Sequence, residues 1–119
     1  MYNDDRGLLQ GTLDLLILKT LTWGQAHGYG IASWIERITD DALRVEEGSL
    51  YPALHRMERK GLIESVWGVS ENNRKAKFYS LTAEGQKHLT DKVAGWDRLV
   101  STVDKALRNT ETPSWAGNA

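Results

Sequence analysis

Leu89, Val93, Trp96, Val100, Val103 and Leu107 recur at spacings of four, three, four, three and four residues. That is the heptad stripe of a helix seated against another helix along its whole length. Thr82 is a candidate cap, and the pattern predicts a helix from about Ala83 to Asn109, with Lys92, Asp97, Arg98, Asp104 and Lys105 off the stripe. Such a helix would extend about 39 Å at 1.5 Å per residue, longer than a small domain needs to cover its core. Packing on its own domain accounts for Leu89 and Val93 but not for a stripe that continues to Leu107. A second copy of the chain is the expected partner, with Leu15 and Leu18 of a leucine-rich first helix packing beside the seam.

That first helix is expected from about Leu9 to Thr22, after a frayed tail at residues 1–6. Leu13, Leu15, Leu16, Ile17, Leu18 and Leu21 surround much of its circumference, so it is buried on more than one side, as a central core helix or partly against a second chain. "WGQAHGYG" is a turn with three glycines. A second helix follows, with Ile31, Trp34, Ile35 and Ile38 as its apolar stripe and Glu36 and Arg37 outside. The third is "GSLYPALHRMERKGLI", residues 48–63, in which Leu50, Ala53, Leu54 and Met57 form one face. Ser49 is its expected N-cap and Gly61 its C′ stop. After Gly61 the period changes. "LIESVWGV" and "AKFYSL" alternate, and the polar "SENNRK" between them predicts a β-hairpin.

The expected fold is therefore mostly α with a small β-hairpin, a winged helix-turn-helix followed by a long C-terminal dimerisation helix. The division is 1–81 for the winged-helix domain, 82–109 for the dimerisation helix and 110–119 for a flexible tail.

The function follows from where the charge lies. The chain carries a formal net charge of −1, which argues against binding polyanions with its whole surface. Residues 48–81, however, hold Arg56, Arg59, Lys60, Arg74, Lys75 and Lys77 against Glu58, Glu64 and Glu71, a balance of +3 that leaves −4 for the remainder. A recognition helix presents its N-terminal residues to base edges in the major groove. Here these are Ser49, Tyr51 and Pro52, with His55, Arg56 and Arg59 behind them. Arginine pairs bidentately with guanine, and apolar or aromatic surface meets the thymine methyl. Arg74, Lys75 and Lys77 on the wing would reach phosphates or the minor groove, contacts that position the protein and make its affinity salt-sensitive.

Other classes fit less well. There are no cysteines, so disulfides and thiolate metal sites are excluded. His27, His55 and His88 are too widely separated for a ligand pair, no phosphate-cradling glycine loop follows a strand, and no catalytic residues, metal ligands or cofactor are expected. The acidic start, and an apolar run broken by Asp14 and Lys19, suit neither a signal peptide nor a membrane span. A cytoplasmic protein is the expectation. The competing reading is a winged-helix protein-interaction module without specific DNA binding, because fold alone does not fix function.

"LLQGTLDLLILKTL", "HGYGIA", "EEGSLYPALHRMERKGLI" and "KFYSLTAEG" together resemble the PadR family of bacterial transcriptional regulators, in the family's order and over roughly residues 8–108. The resemblance implies a winged-helix domain with "GSLYPAL" in the recognition helix and "RKAKFYSLT" in the wing. It also implies a homodimer formed through the C-terminal helix and repression by operator binding. Some members of the family are released from DNA by aromatic compounds, and some bind drugs between the subunits near an aromatic residue of this helix. Trp96 is the candidate residue for such an effector, the alternative being that it is simply a packing anchor of the stripe.

Overall fold

The computed structural model describes residues 6–117. The elements are α1 (Arg6–Thr20), β1 (Ala26–His27), α2 (Gly28–Ile38), α3 (Glu47–Arg59), β2 (Ile63–Val69), β3 (Lys75–Leu81) and α4 (Ala83–Arg108), with 3-10 turns at Leu21–Trp23 and Ser114–Ala116. This is the winged helix-turn-helix with a long final helix that the sequence predicts. Of the expected N-terminal tail, Arg6 already belongs to α1, and residues 1–5 lie outside the described residues.

The core is one cluster. Leu13, Ile17, Leu18 and Leu21 meet Ile31 and Ile35 of α2, Leu50, Ala53, Leu54 and Met57 of α3, and Leu62, Ile63, Tyr79 and Leu89. Leu18, expected beside the dimer seam, is 1 % exposed and belongs to this core, so its side chain is spent within the domain. Leu15 is partly buried against the same cluster. On α2, Ile31 and Ile35 are fully buried, but the expected stripe stops there. Ile38 is 57 % exposed, because α2 ends at this residue and the chain turns away through Asp40 and Asp41, both at positive φ.

Glu36, expected outside, instead secures the connection that follows. Its Oε2 accepts from the Val45 backbone N–H at 2.8 Å and lies 3.7 Å from Arg44 Nε. This fastening sets the entry to α3, whose N-cap is Glu46 rather than Ser49. Ser49 lies inside the first turn and donates its N–H to the Glu46 carbonyl at 3.0 Å. Consequently Pro52 stands in the second turn, where it cannot donate to the carbonyl of Gly48. The C-terminus matches expectation. Gly61 has φ +76°, its N–H donates to the Glu58 carbonyl at 3.0 Å, and that of Leu62 donates to Met57 at 3.0 Å, the paired bonds of a Schellman stop.

The sheet has three strands rather than the two of the expected hairpin, in the order β1-β3-β2 and antiparallel throughout. Ala26 and His27, expected within a turn, pair with Tyr79 and Phe78. Within the wing, Ile63 faces Leu81, Trp67 faces Lys77 and Val69 faces Lys75.

Thr82 caps α4 as expected, its Oγ1 accepting from the Gly85 N–H at 3.0 Å. Past Leu89, α4 leaves the core. Val93, Trp96, Val100, Val103 and Leu107 of the heptad stripe are exposed, as is Leu99 beside them. The radius of gyration, 18.3 Å, exceeds the roughly 13.5 Å of a compact chain of this size because of this projection. No helix among the described residues is long and apolar enough to cross a membrane.

Candidate nucleic-acid interface

An α-helix turns about 100° per residue, so the buried Leu50, Ala53, Leu54 and Met57 place Tyr51, Pro52, His55 and Arg59 on the opposite, exposed face of α3. Arg56 and Glu58 fall on the two flanks, and each is claimed by a neighbouring element. Arg56 Nη2 donates to both carboxylate oxygens of Asp14 on α1, at 2.9 and 3.1 Å. The sequence groups Arg56 with the groove-facing residues. The structure turns it towards α1, where a single guanidinium nitrogen bonds both carboxylate oxygens, and charge-assisted hydrogen bonds are among the stronger polar contacts a protein makes. On the other flank, Glu58 Oε2 accepts from Ser65 Oγ at 2.7 Å and its Oε1 lies 3.8 Å from Lys77 Nζ. Lys77 therefore has a carboxylate partner within the wing's own base.

Tyr51 is positioned by a close approach that periodicity does not reveal. Gly28, the first residue of α2, is buried directly beneath it, and a Cβ at Gly28 would stand 2.8 Å from the phenol oxygen. The start of α2 is itself capped by His27, whose Nδ1 accepts from the Gly30 N–H at 3.0 Å while its ring meets Phe78 edge-on at 5.3 Å. This bond fixes the remaining proton of the neutral ring on Nε2. His27 thus joins α2 to the sheet. Tyr79 lies on the floor between α3 and β3. Burial above all, then the negative charge of Glu58 and the neighbouring Tyr51, raises its phenol above the ordinary value of 10.0.

Between the exposed face of α3 and the wing runs an open groove of about 790 Å³. Tyr51 and His55 form one wall, and Trp67, Arg74, Lys75 and Lys77 the other. The turn at its rim is closed by the Ser70 N–H donating to the Arg74 carbonyl and the Asn73 N–H donating to Ser70, both at 2.8 Å. Asn73 takes the left-handed conformation that this tight reversal needs, φ +59°. Among the described residues, Arg59, Arg74 and Lys75 make no ion pair. Of the nine positions singled out from sequence, the structure brings Tyr51, His55, Arg74, Lys75 and Lys77 to the groove. Pro52 and Arg59 lie on the adjoining exposed face, Ser49 on the flank towards α1, and Arg56 on Asp14. Trp67, which sequence reasoning passes over, is a major part of the wall. It shares its face of β2 with the buried Ile63, four residues earlier, and that two-residue alternation is the available signal.

Comparison with known proteins agrees with this architecture. A model of the transcriptional regulator PadR-like family matches residues 17–91, from the last turn of α1 into α4. A transcriptional regulator of Mycobacterium tuberculosis is 29 % identical over 99 residues, covering 82 % of this chain and 88 % of that one. The solved structure of a transcriptional regulator from Clostridium thermocellum superposes with a TM-score of 0.76 at 31 % identity, covering 83 % of this chain and 96 % of that one. A PadR-like transcriptional regulator from Bacillus cereus gives 0.74 at 29 % identity, covering 87 % and 98 %. A family match over more than half of the chain, laid on a winged helix whose third helix and hairpin enclose a cationic groove, means that the chain belongs to the PadR-like family of transcriptional regulators.

Proposed function

We propose that the protein is a homodimeric, sequence-specific repressor that reads a two-fold symmetric operator with α3 and the wing, and that an aromatic small molecule releases it. The groove carries this reading: Tyr51 and His55 face Arg74 and Lys75 across an open channel, with the exposed Arg59 on the adjoining surface. Tyr51 and Pro52 offer apolar surface to a thymine methyl, Arg59 offers a guanidinium to guanine or phosphate, and Arg74 and Lys75 offer charge to the backbone.

The dimer is supported by α4. From Thr90 to Arg108 it is exposed almost throughout, yet Val93, Trp96, Val100, Val103 and Leu107 keep one apolar stripe along it. A helical segment of this kind draws most of its stability from packing against another surface, and a heptad stripe suits a second copy of itself. Two copies would present two recognition helices to half-sites about 34–36 Å apart. Trp96, at the middle of the stripe, is the aromatic surface on which a flat effector would stack between subunits.

Selection of genomic DNA with the purified protein at moderate salt tests the proposal. Enrichment of a two-fold symmetric motif upstream of a few genes is the expected result, with transcription from those promoters falling when the protein is added. Retained fragments indistinguishable from the input would move the assignment to the protein-interaction module.

A further inference from the structure

We propose that Trp67 is a positioning residue of the DNA interface, holding the Lys75 and Lys77 ammonium groups together so that they receive one backbone phosphate. The inference rests on the groove being the DNA interface and names how its wing wall works. The β2–β3 register sets Trp67 opposite Lys77 and Val69 opposite Lys75, which puts the indole and both lysines on one face of the wing. Lys75 Nζ lies 5.1 Å and Lys77 Nζ 5.9 Å from the indole ring. Like charges repel, and exposed lysine side chains ordinarily scatter over many rotamers. Here both converge on one ring, because the negative face of the indole attracts each ammonium.

The charge count at this spot points to an anion. Glu58 lies 3.8 Å from Lys77 and offsets one of the two charges, while Lys75 has no ion-pair partner among the described residues. Trp67 itself is 63 % exposed, on the wall of the groove that Tyr51 and His55 line from the other side. A tryptophan contributing so little to the core, yet gathering two lysines at a groove mouth, serves the partner that fills the groove. A phosphate diester of the duplex backbone matches the residual charge, and the indole N–H adds a donor beside it.

The test is titration of full-length protein into labelled operator DNA at several salt concentrations, with the variants Trp67→Leu, Trp67→Thr, Trp67→Phe, Lys75→Gln and Trp67→Leu/Lys75→Gln. Trp67→Leu should weaken binding by roughly ten-fold in a dimer that uses two such sites. It should also make the salt dependence of the affinity shallower, by about 0.9 in the logarithmic slope for each phosphate that is no longer neutralised. Trp67→Phe, which keeps a π face, should restore most of the affinity, and the double variant should bind little more weakly than Lys75→Gln alone. Melting curves identify any variant that fails to fold, and Trp67→Thr supplies a second ring-free side chain suited to a strand. Ring-free, folded variants that keep the wild-type affinity and slope would overturn the role of Trp67 while leaving the DNA interface intact, as would effects that simply add in the double variant. A wild-type protein that retains no operator would overturn both readings together.

Discussion

Replacing Gly85 with alanine should destabilise the fold, although glycine-to-alanine changes inside helices ordinarily stabilise by about 1 kcal/mol. Gly85 lies in the first turn of α4, pressed against the turn that joins α3 to β2. A Cβ there would stand 2.7 Å from Leu81 Cδ1 and 3.0 Å from the carbonyl carbon of Leu62, and it would overlap the Leu62 oxygen outright. That oxygen is already engaged. It accepts from the Thr82 N–H at 3.1 Å, while Thr82 Oγ1 donates to the Gly61 carbonyl at 2.6 Å and accepts from the Gly85 N–H at 3.0 Å. The obstacle is backbone and cannot rotate aside. Making room would lift the first turn of α4 off the turn and break the Thr82–Leu62 bond. Overpacking of this kind costs about 1–3 kcal/mol and the broken hydrogen bond about 1 kcal/mol more. Set against the helix-propensity gain, the net destabilisation is about 1–3 kcal/mol, a fall of roughly 10 °C in Tm for a domain of this size.

Gly95 supplies the internal control. It lies on the same helix, and a Cβ there would meet only Arg98, at an ordinary 3.8 Å. Gly95→Ala should therefore raise stability by about 0.5–1 kcal/mol. Urea or thermal unfolding of the two variants at equal chain concentration, which removes mass-action effects of association, reads both signs in one experiment. A Gly85→Ala protein as stable as the wild type would refute the packing argument at its root, since it would mean that α4 does not start where it presses on Leu62.

Arg56→Ala should lower stability by about 1 kcal/mol by removing the half-buried pair with Asp14, whereas Arg59→Ala should leave Tm unchanged and weaken DNA binding; melting curves and DNA titrations on the two variants separate these roles. Val100→Glu, placing a charge in the exposed stripe of α4 far from the core, should leave the winged helix folded but give a monomer in sedimentation, and an unchanged dimer would remove α4 as the seam. Because the folded protein holds Tyr79 protonated beyond the ordinary 10.0, its contribution is fully present below pH 10 and is lost as pH rises past that value. Wild-type stability should fall in that alkaline window, and Tyr79→Phe, followed by urea unfolding from pH 9 to 11, should flatten part of the fall.

What can be read from the sequence is what periodicity encodes. The buried face of α3, the change of period after Gly61 and the span of α4 all follow from spacing within one element, and each element forms where its spacing puts it. The differences share another cause. Arg56 groups with the groove by following His55 in the chain, but its direction is decided by Asp14, 42 residues away. Ser49 has the chemistry of an N-cap, yet the chain enters the helix earlier, once Glu36 has fastened Val45. The two-residue strand at Ala26–His27 is too short to show alternation and exists only because β3 offers it an edge. Gly28 reads as a turn glycine and Gly85 as an ordinary helix glycine until the neighbours that forbid a side chain, Tyr51 and Leu62, are in place. Each is a fact about packing between elements, to which local patterns are blind.

Those same interactions constrain how the proposed repressor could be switched. Asp14 of α1 grips Arg56 on one flank of α3, Glu58 ties the other flank to Ser65 and Lys77 of the wing, and Tyr51 is seated on Gly28 of α2. Four buried side chains hold the inner face. An effector that moved α3 within its domain would have to break several of these at once, a cost that packed interiors impose on small displacements. Beyond Leu89, by contrast, α4 runs exposed and away from the core. Under the proposed dimer, changing how two copies of this helix cross would alter the distance between two unchanged recognition helices. A duplex with half-sites fixed about 34–36 Å apart is sensitive to that distance. Release through the seam at Trp96 therefore requires far less of the structure than release through the groove itself.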